Sequence, residues 1–145
     1  MMAVMKTLQG VNLCHCLAAR RHARLLTRLY DRHLAAVNLS VSQFSILALI
    51  HQQPGILIAE LADLMAMERT TLLRALKPLQ SEGLLISEAE GARAAIRLTL
   101  SAQGRVKHDQ AEVFWEAAQQ EHEQTTGVEA ATSLRCALFE QDFGG

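Results

Sequence analysis

Residues 58–99 read IAELADLMAMERTTLLRALKPLQSEGLLISEAEGARAAIRLT, and the order of apolar and polar positions in this stretch decides the fold. At 100° per residue, Leu72, Leu76 and Leu79 fall on one side of a helix, while Thr70, Arg74 and Lys77 gather in a wedge about 60° wide opposite them. One face docks on a core and the other is free to enter a groove. Leu61, Ala62, Leu64 and Met65 give the preceding helix its apolar side, and residues 65–68 form the turn between the two. After Gly83, a helix stop, residues 84–86 read as one strand. Ile96, Leu98 and Leu100 alternate with Arg97 and Thr99 as a second, with residues 87–95 expected as the connecting tip. Helix, turn, basic helix and hairpin in this order spell a winged helix-turn-helix, a module that reads duplex DNA.

The rest of the chain is helical in pattern. Between residues 12 and 36, Leu13, Cys16, Leu17, Ala19, Ala23, Leu26, Tyr30 and Leu34 recur at spacings of three and four. Ser40 or Ser42 can cap the next helix, whose expected core residues are Phe44, Leu47, Ala48 and Ile50, before Pro54-Gly55 forces a turn. Residues 56–57 add a minor third strand. Ser101 caps a helix expected to run to about residue 123 with Val106, Val113, Phe114 and Ala117 inward, and a last helix from Val128 uses Ala131, Leu134, Ala137 and Leu138. The fold class is therefore mainly α (α+β).

Composition agrees with one domain over residues 1–145. Half the 145 residues are hydrophobic and only 4% aromatic, which favours helices packed through aliphatic side chains. No apolar run is long enough to span a bilayer and no cleavable leader is evident, so a cytoplasmic protein without a membrane partner is expected. Three cysteines, Cys14, Cys16 and Cys136, do not suggest a disulfide framework.

The net charge of -1 hides a division. Residues 1–39 hold six basic and one acidic residue, 68–107 seven and four, and 108–145 one and eight. Positive charge coincides with the basic helix and wing, so the field is segregated although the total is near zero. A winged module over residues 40–104 owns its own small core, which leaves the helices in 1–39 and 105–145 with apolar sides to cover. Folding back on their own module would cover them, but a homodimer is the economical solution, and its two-fold axis would set two reading helices about 34 Å apart, matching a palindromic operator.

The chain resembles the MarR-type family of bacterial transcriptional regulators over nearly its whole length. The resemblance rests on Leu61-Ala62, Met67-Glu68-Arg69-Thr70-Thr71, Arg74, Leu79, Gly83-Leu84, Leu100-Ser101 and Gly104, with Gln43-Phe44 and the run from Arg20-Arg21 to Tyr30-Asp31. It implies an obligate dimer that binds palindromic DNA, usually as a repressor released by a small phenolic ligand or an oxidant. It implies DNA contacts from Arg69, Thr70, Thr71 and Arg74, and Lys77 extends that face. A guanidinium bonds a guanine edge at two points, so Arg74 is the expected base reader. Thr70 and Thr71 at the helix start suit phosphates, and Leu73 borders the same face.

Three departures stand out. Leu57 occupies the cap position where the family has Ser or Thr, a loss of about 0.5–2 kcal/mol. Pro78 removes a backbone donor inside the reading helix, so a kink near Arg74 is expected. In the wing, Glu90-Gly91-Ala92-Arg93 replaces the usual acidic-x-Arg pattern, which leaves Arg93 as the wing contact, and Glu88 and Glu90 must point away from phosphates.

Cys14-His15-Cys16 is the most reactive-looking group. Cys16 stands 14 residues before Tyr30 and 27 before Gln43, the spacing of hydroperoxide-sensing members of the family, and Tyr30 matches one of their tyrosines. Arg20 and Val41 replace the other partners, and Arg20, one turn from Cys16, can favour the thiolate. Cys16 and Tyr30 are thus the redox candidates, beside the plainer reading of a helix cysteine as a small hydrophobe. No metal site is expected, because Cys14 and Cys16 point about 200° apart on a helix and His22, His33, His51, His108 and His122 are scattered along the chain. A ligand pocket between the N-terminal helix and the reading module is the family's alternative sensor. No cofactor is expected.

The sequence shows no base-and-orienter constellation and no glycine-rich phosphate loop, so an enzyme is not expected. Two other classes stay open at this point: a thiol-dependent, peroxide-reactive enzyme built on Cys16, and a winged-helix protein-interaction module that does not bind DNA.

Overall fold

The computed structural model describes residues 9–91 and 95–144. After a 3-10 turn at Gly10–Leu13, the elements are α1 (His15–Leu34), α2 (Val41–Gln52), β1 (Ile56–Leu57), α3 (Ile58–Met65), α4 (Arg69–Ser81), β2 (Leu85–Glu90), β3 (Ala95–Leu100), α5 (Ala102–Thr126) and α6 (Val128–Glu140). The three strands form one antiparallel sheet with β3 in the centre, Ile56 opposite Leu98 and Leu85 opposite Leu100. This is a winged helix-turn-helix carried between terminal helices. No single helix among the described residues is long and apolar enough to cross a membrane.

Local rules place the helix ends. Ser40 caps α2 by accepting from the Gln43 amide at 3.1 Å while the Gln43 side chain accepts from the Ser40 amide at 3.0 Å, a reciprocal pair that satisfies two orphan donors. Asp31 near the end of α1 accepts from the Val41 amide at 2.7 Å and fixes how α1 hands over to α2. Leu57 offers no side-chain cap to α3, yet Glu60 accepts from its amide at 3.1 Å, so half of that reciprocal pair survives. Ser101 caps α5 by accepting from the Gly104 amide at 3.0 Å.

One aliphatic core unites the winged half. Leu61 of α3, Leu72, Leu76 and Leu79 of α4, Ile46, Leu47 and Ile50 of α2, and Leu98 of β3 are all buried together, and Ala111 of α5 joins them. Burying a side chain of this size contributes about 1.5–3 kcal/mol, so this cluster dominates the stability of the module. Gly104 seals the join to α5. A Cβ there would lie 2.1 Å from the Leu84 carbonyl oxygen, so only glycine admits this approach. Ser101 reinforces it, donating from Oγ to the Gly83 carbonyl at 2.6 Å and from its amide to the Leu84 carbonyl at 2.9 Å.

The terminal helices behave differently. Along α1 only Tyr30 and Leu34 are buried, whereas Leu13 before it and Cys16, Leu17, Ala19 and Ala23 within it lie exposed. In α5 the buried positions are Gly104, His108, Ala111 and Ala118, so Val106 and Val113 are solvent-facing instead of core residues. The helix also runs to Thr126 before Gly127 ends it. In α6 no residue is buried.

The wing needs correction too. Residues 87–90 belong to β2, which runs through Glu90, and β3 begins at Ala95, so the tip is shorter than the sequence suggested. Ser87, Glu88 and Glu90 gave no apolar alternation to read, and pairing with Leu98, Arg97 and Ala95 holds them in the strand instead. Pro78 lies inside α4, which runs from Arg69 to Ser81.

Candidate nucleic-acid interface

The reading helix is built by its buried side. Leu72, Leu76 and Leu79 are at most 1% exposed, which fixes the rotation of α4 about its axis and sends the intervening positions outward. Arg69, Thr70, Thr71, Arg74 and Lys77 are all exposed. Leu73, 37% exposed, borders them.

The start of α4 is also shaped for anions. Glu68 supplies no side-chain cap, and Leu72 donates the first bond back to the Glu68 carbonyl at 3.0 Å. The amides of Arg69, Thr70 and Thr71 therefore occupy an uncapped first turn, where the helix dipole is positive. This turn carries two hydroxyls, one guanidinium and three amides, donor types that match phosphate oxygens. Arg74 and Lys77 carry the positive charge one and two turns further along.

The turn that presents this helix is tight. Ala66 ends α3 at φ 52° and ψ 40°, a left-handed conformation that favours glycine, and the Met67 amide closes the turn on the Ala62 carbonyl at 2.9 Å. Met65 and Met67 pack partly buried against the core on either side.

Arg93, expected as the wing contact, lies outside the described residues, with its neighbours Ala92 and Ala94. Glu88 stands opposite Arg97 in the hairpin register, so the carboxylate has a cationic cross-strand neighbour. Arg97 also donates to the Gly55 carbonyl at 3.0 Å, tying the hairpin to the turn before β1.

The expected redox pair, Cys16 and Tyr30, is not brought together within a protomer. Cys14, Cys16 and Cys136 are free and exposed. Tyr30 sits 14 residues from Cys16 on the same helix, about 21 Å along its axis, and its hydroxyl donates to Gln119 of α5. Burial is the main cause that raises the Tyr30 pKa, with Glu123 adding to it, so the phenol holds its proton firmly. An apolar cleft of about 280 Å³ opens beside it between α1, α5 and α6, lined by Leu26, Tyr30, Leu134, Leu138 and Phe139. It lies among the terminal helices, away from the reading module where the sequence had suggested a pocket.

The histidines are where sequence reasoning fell furthest short. Scattered in the chain, they meet in space: His51 stacks on His108 with ring centres 4.2 Å apart, His22 approaches His122 at 6.2 Å, and His33 reaches Glu121 at 3.2 Å. Each pairing joins an early helix to α5. Residues 57 or more apart in sequence give no local signal of this kind.

This geometry has counterparts. A MarR family profile matches residues 39–90. The transcriptional regulator MosR of M. tuberculosis is 31% identical, covers 91% of this chain and is itself covered completely, with a TM-score of 0.76. The chain belongs to the MarR family. Another structure of MosR, in complex with DNA, is 32% identical over 88% of this MarR-family chain and 99% of its own, with a TM-score of 0.70. CouR from Rhodococcus jostii RHA1, bound to p-coumaroyl-CoA, shares the fold at 18% identity, covering 90% of this chain and 92% of its own with a TM-score of 0.76. No match emerges among curated protein sequences.

Proposed function

We propose that the protein is a dimeric, sequence-specific DNA-binding transcriptional regulator, a repressor released by a small ligand or an oxidant. The observation that carries this reading is α4: its apolar side is locked in the core, and its exposed side offers Arg69, Thr70, Thr71, Arg74 and Lys77 to a major groove. Thr70 and Thr71 take phosphates, Arg74 reads a base edge and Lys77 follows the backbone. Arg93 serves the wing. The DNA complex of MosR supports the choice of partner.

The uncovered apolar residues of α6 and of the first turns of α1 support pairing through the terminal helices, with Val128, Leu134, Leu138 and Phe139 on the joining surface. Oxidant control rests on the exposure of Cys14 and Cys16 at the start of α1, and ligand control on the Leu26 and Tyr30 side of the cleft, whose Leu134, Leu138 and Phe139 side belongs to the joining surface. Catalysis forms no part of the reading.

Enrichment of bound duplexes from a random DNA pool, with and without peroxide, tests it. A palindrome bound with nanomolar affinity that falls steeply with salt is expected. Arg74→Ala relaxes base preference at one position of each half-site, a loss of about 1–3 kcal/mol on the best site. Lys77→Ala weakens all duplexes alike and lowers the salt slope by about 1. Cognate binding unchanged in both variants would overturn the assignment of α4. Peroxide that releases wild type and Cys16→Ser equally would remove Cys16 from the sensing role.

A further inference from the structure

We infer that His51, His108 and Asp109 form a binding site for one divalent transition-metal ion of the zinc class, clamping the end of α2 to α5. The donor atoms of these three residues all lie within 4.8 Å of one another. His51 is the penultimate residue of α2 and is exposed, whereas His108, in the second turn of α5, is buried. The His108 ring stacks on Phe44, 5.7 Å away, and on His51, 4.2 Å away and 19° from parallel.

The distances suit a metal. Bonds of about 2.0–2.2 Å in a tetrahedral site hold neighbouring donors about 3.3–3.5 Å apart. His108 Nδ1 and Asp109 Oδ1 are already 3.0 Å apart, and Glu112 brings a second carboxylate oxygen to 4.0 Å from the same nitrogen. Near-parallel stacked rings aim their in-plane lone pairs side by side, so the exposed His51 ring must swing off His108 to face the ion. Arg105 lines the groove beside His51, but its guanidinium is held by the Leu100 carbonyl at 3.3 Å. Two imidazoles and a carboxylate are borderline donors that select zinc, cobalt or nickel over calcium and magnesium. The ion would join the last turn of a winged-module helix to the long helix that leaves the module.

The test uses full-length protein, chelator-stripped and kept reduced, titrated with Co²⁺ and then Zn²⁺. One Co²⁺ per chain with visible ligand-field bands, displaced by Zn²⁺, is expected. His51→Ala and Asp109→Asn should each weaken binding at least about tenfold, since even outer partners of metal ligands are worth that much. Both residues are exposed, and unchanged melting of the metal-free variants verifies their folding. Cys14→Ser with Cys16→Ser should leave the bands intact. No uptake by wild type at micromolar metal, unchanged affinity in both His51→Ala and Asp109→Asn, or bands with thiolate character lost in the cysteine variant would each overturn the inference. The titration needs no DNA, so its failure leaves the reading of α4 untouched.

Discussion

The winged half and the terminal half of this chain use the same aliphatic vocabulary to different ends. In the winged half, Leu61, Leu72, Leu76 and Leu98 are fully buried by neighbours from the same protomer. In α6 not one residue is, and Phe139 stands 83% exposed. The first region is closed within its own protomer, with α5 contributing Ala111, whereas the second has an apolar surface that its own chain does not cover. Hydrophobic periodicity therefore predicts that a face will be buried, but not by whom.

Mutations on either side of this divide should separate the two. Leu76→Ala opens a cavity in a closed core and should cost about 2–5 kcal/mol, read as a lower denaturant midpoint at every protein concentration. Gly104→Ala forces a methyl against the Leu84 carbonyl and should cost about 3 kcal/mol, loosening the wing from α5. If it melts like wild type, the close approach at this join is wrong. Leu138→Asp on α6 should instead leave the winged core folded and shift the protein from dimer to monomer, measured by sedimentation at micromolar concentration. A variant that stays dimeric would remove α6 from the pairing surface.

The smallest effect belongs to the tie between α1 and α5. Hydrogen bonds from Arg32 and His33 hold the Glu121 carboxyl below the usual carboxylate range. A group with a depressed folded pKa stabilises above its unfolded value and loses that contribution as pH falls through the folded one. The difference in melting temperature between wild type and Glu121→Gln should therefore be small at neutral pH and vanish in acid. A difference that persists once the carboxyl is protonated contradicts the assignment.

Much of the winged half was legible because its signals are local. Leu72, Leu76 and Leu79 announce a helix with one buried side, Ser40 and Ser101 announce caps, and Gly83 announces a stop at φ +73°. From those alone the outward placement of Thr70, Arg74 and Lys77 follows. What was missed depends on long-range geometry. The strand at residues 87–90 is polar and is held by its partner strand, and Val106 and Val113 looked like core because a face meant for solvent or another protomer has the same composition. His51 and His108 carry no shared motif, and only the crossing of α2 over α5 sets one ring on the other.

The seal at Gly104 has a mechanical consequence. With Ser101 and Gly104 pinned to residues 83 and 84, the base of the hairpin and the first turn of α5 move as one piece. The 25 residues of α5 extend about 37 Å, so a tilt of about 5° at that pinned end displaces the far end by about 3 Å. Run in reverse, a shift of about 1–2 Å where α5 meets α6 would turn the base of the hairpin through about 2–3°. The long helix is a tiller, and the glycine is the rivet that stops it slipping.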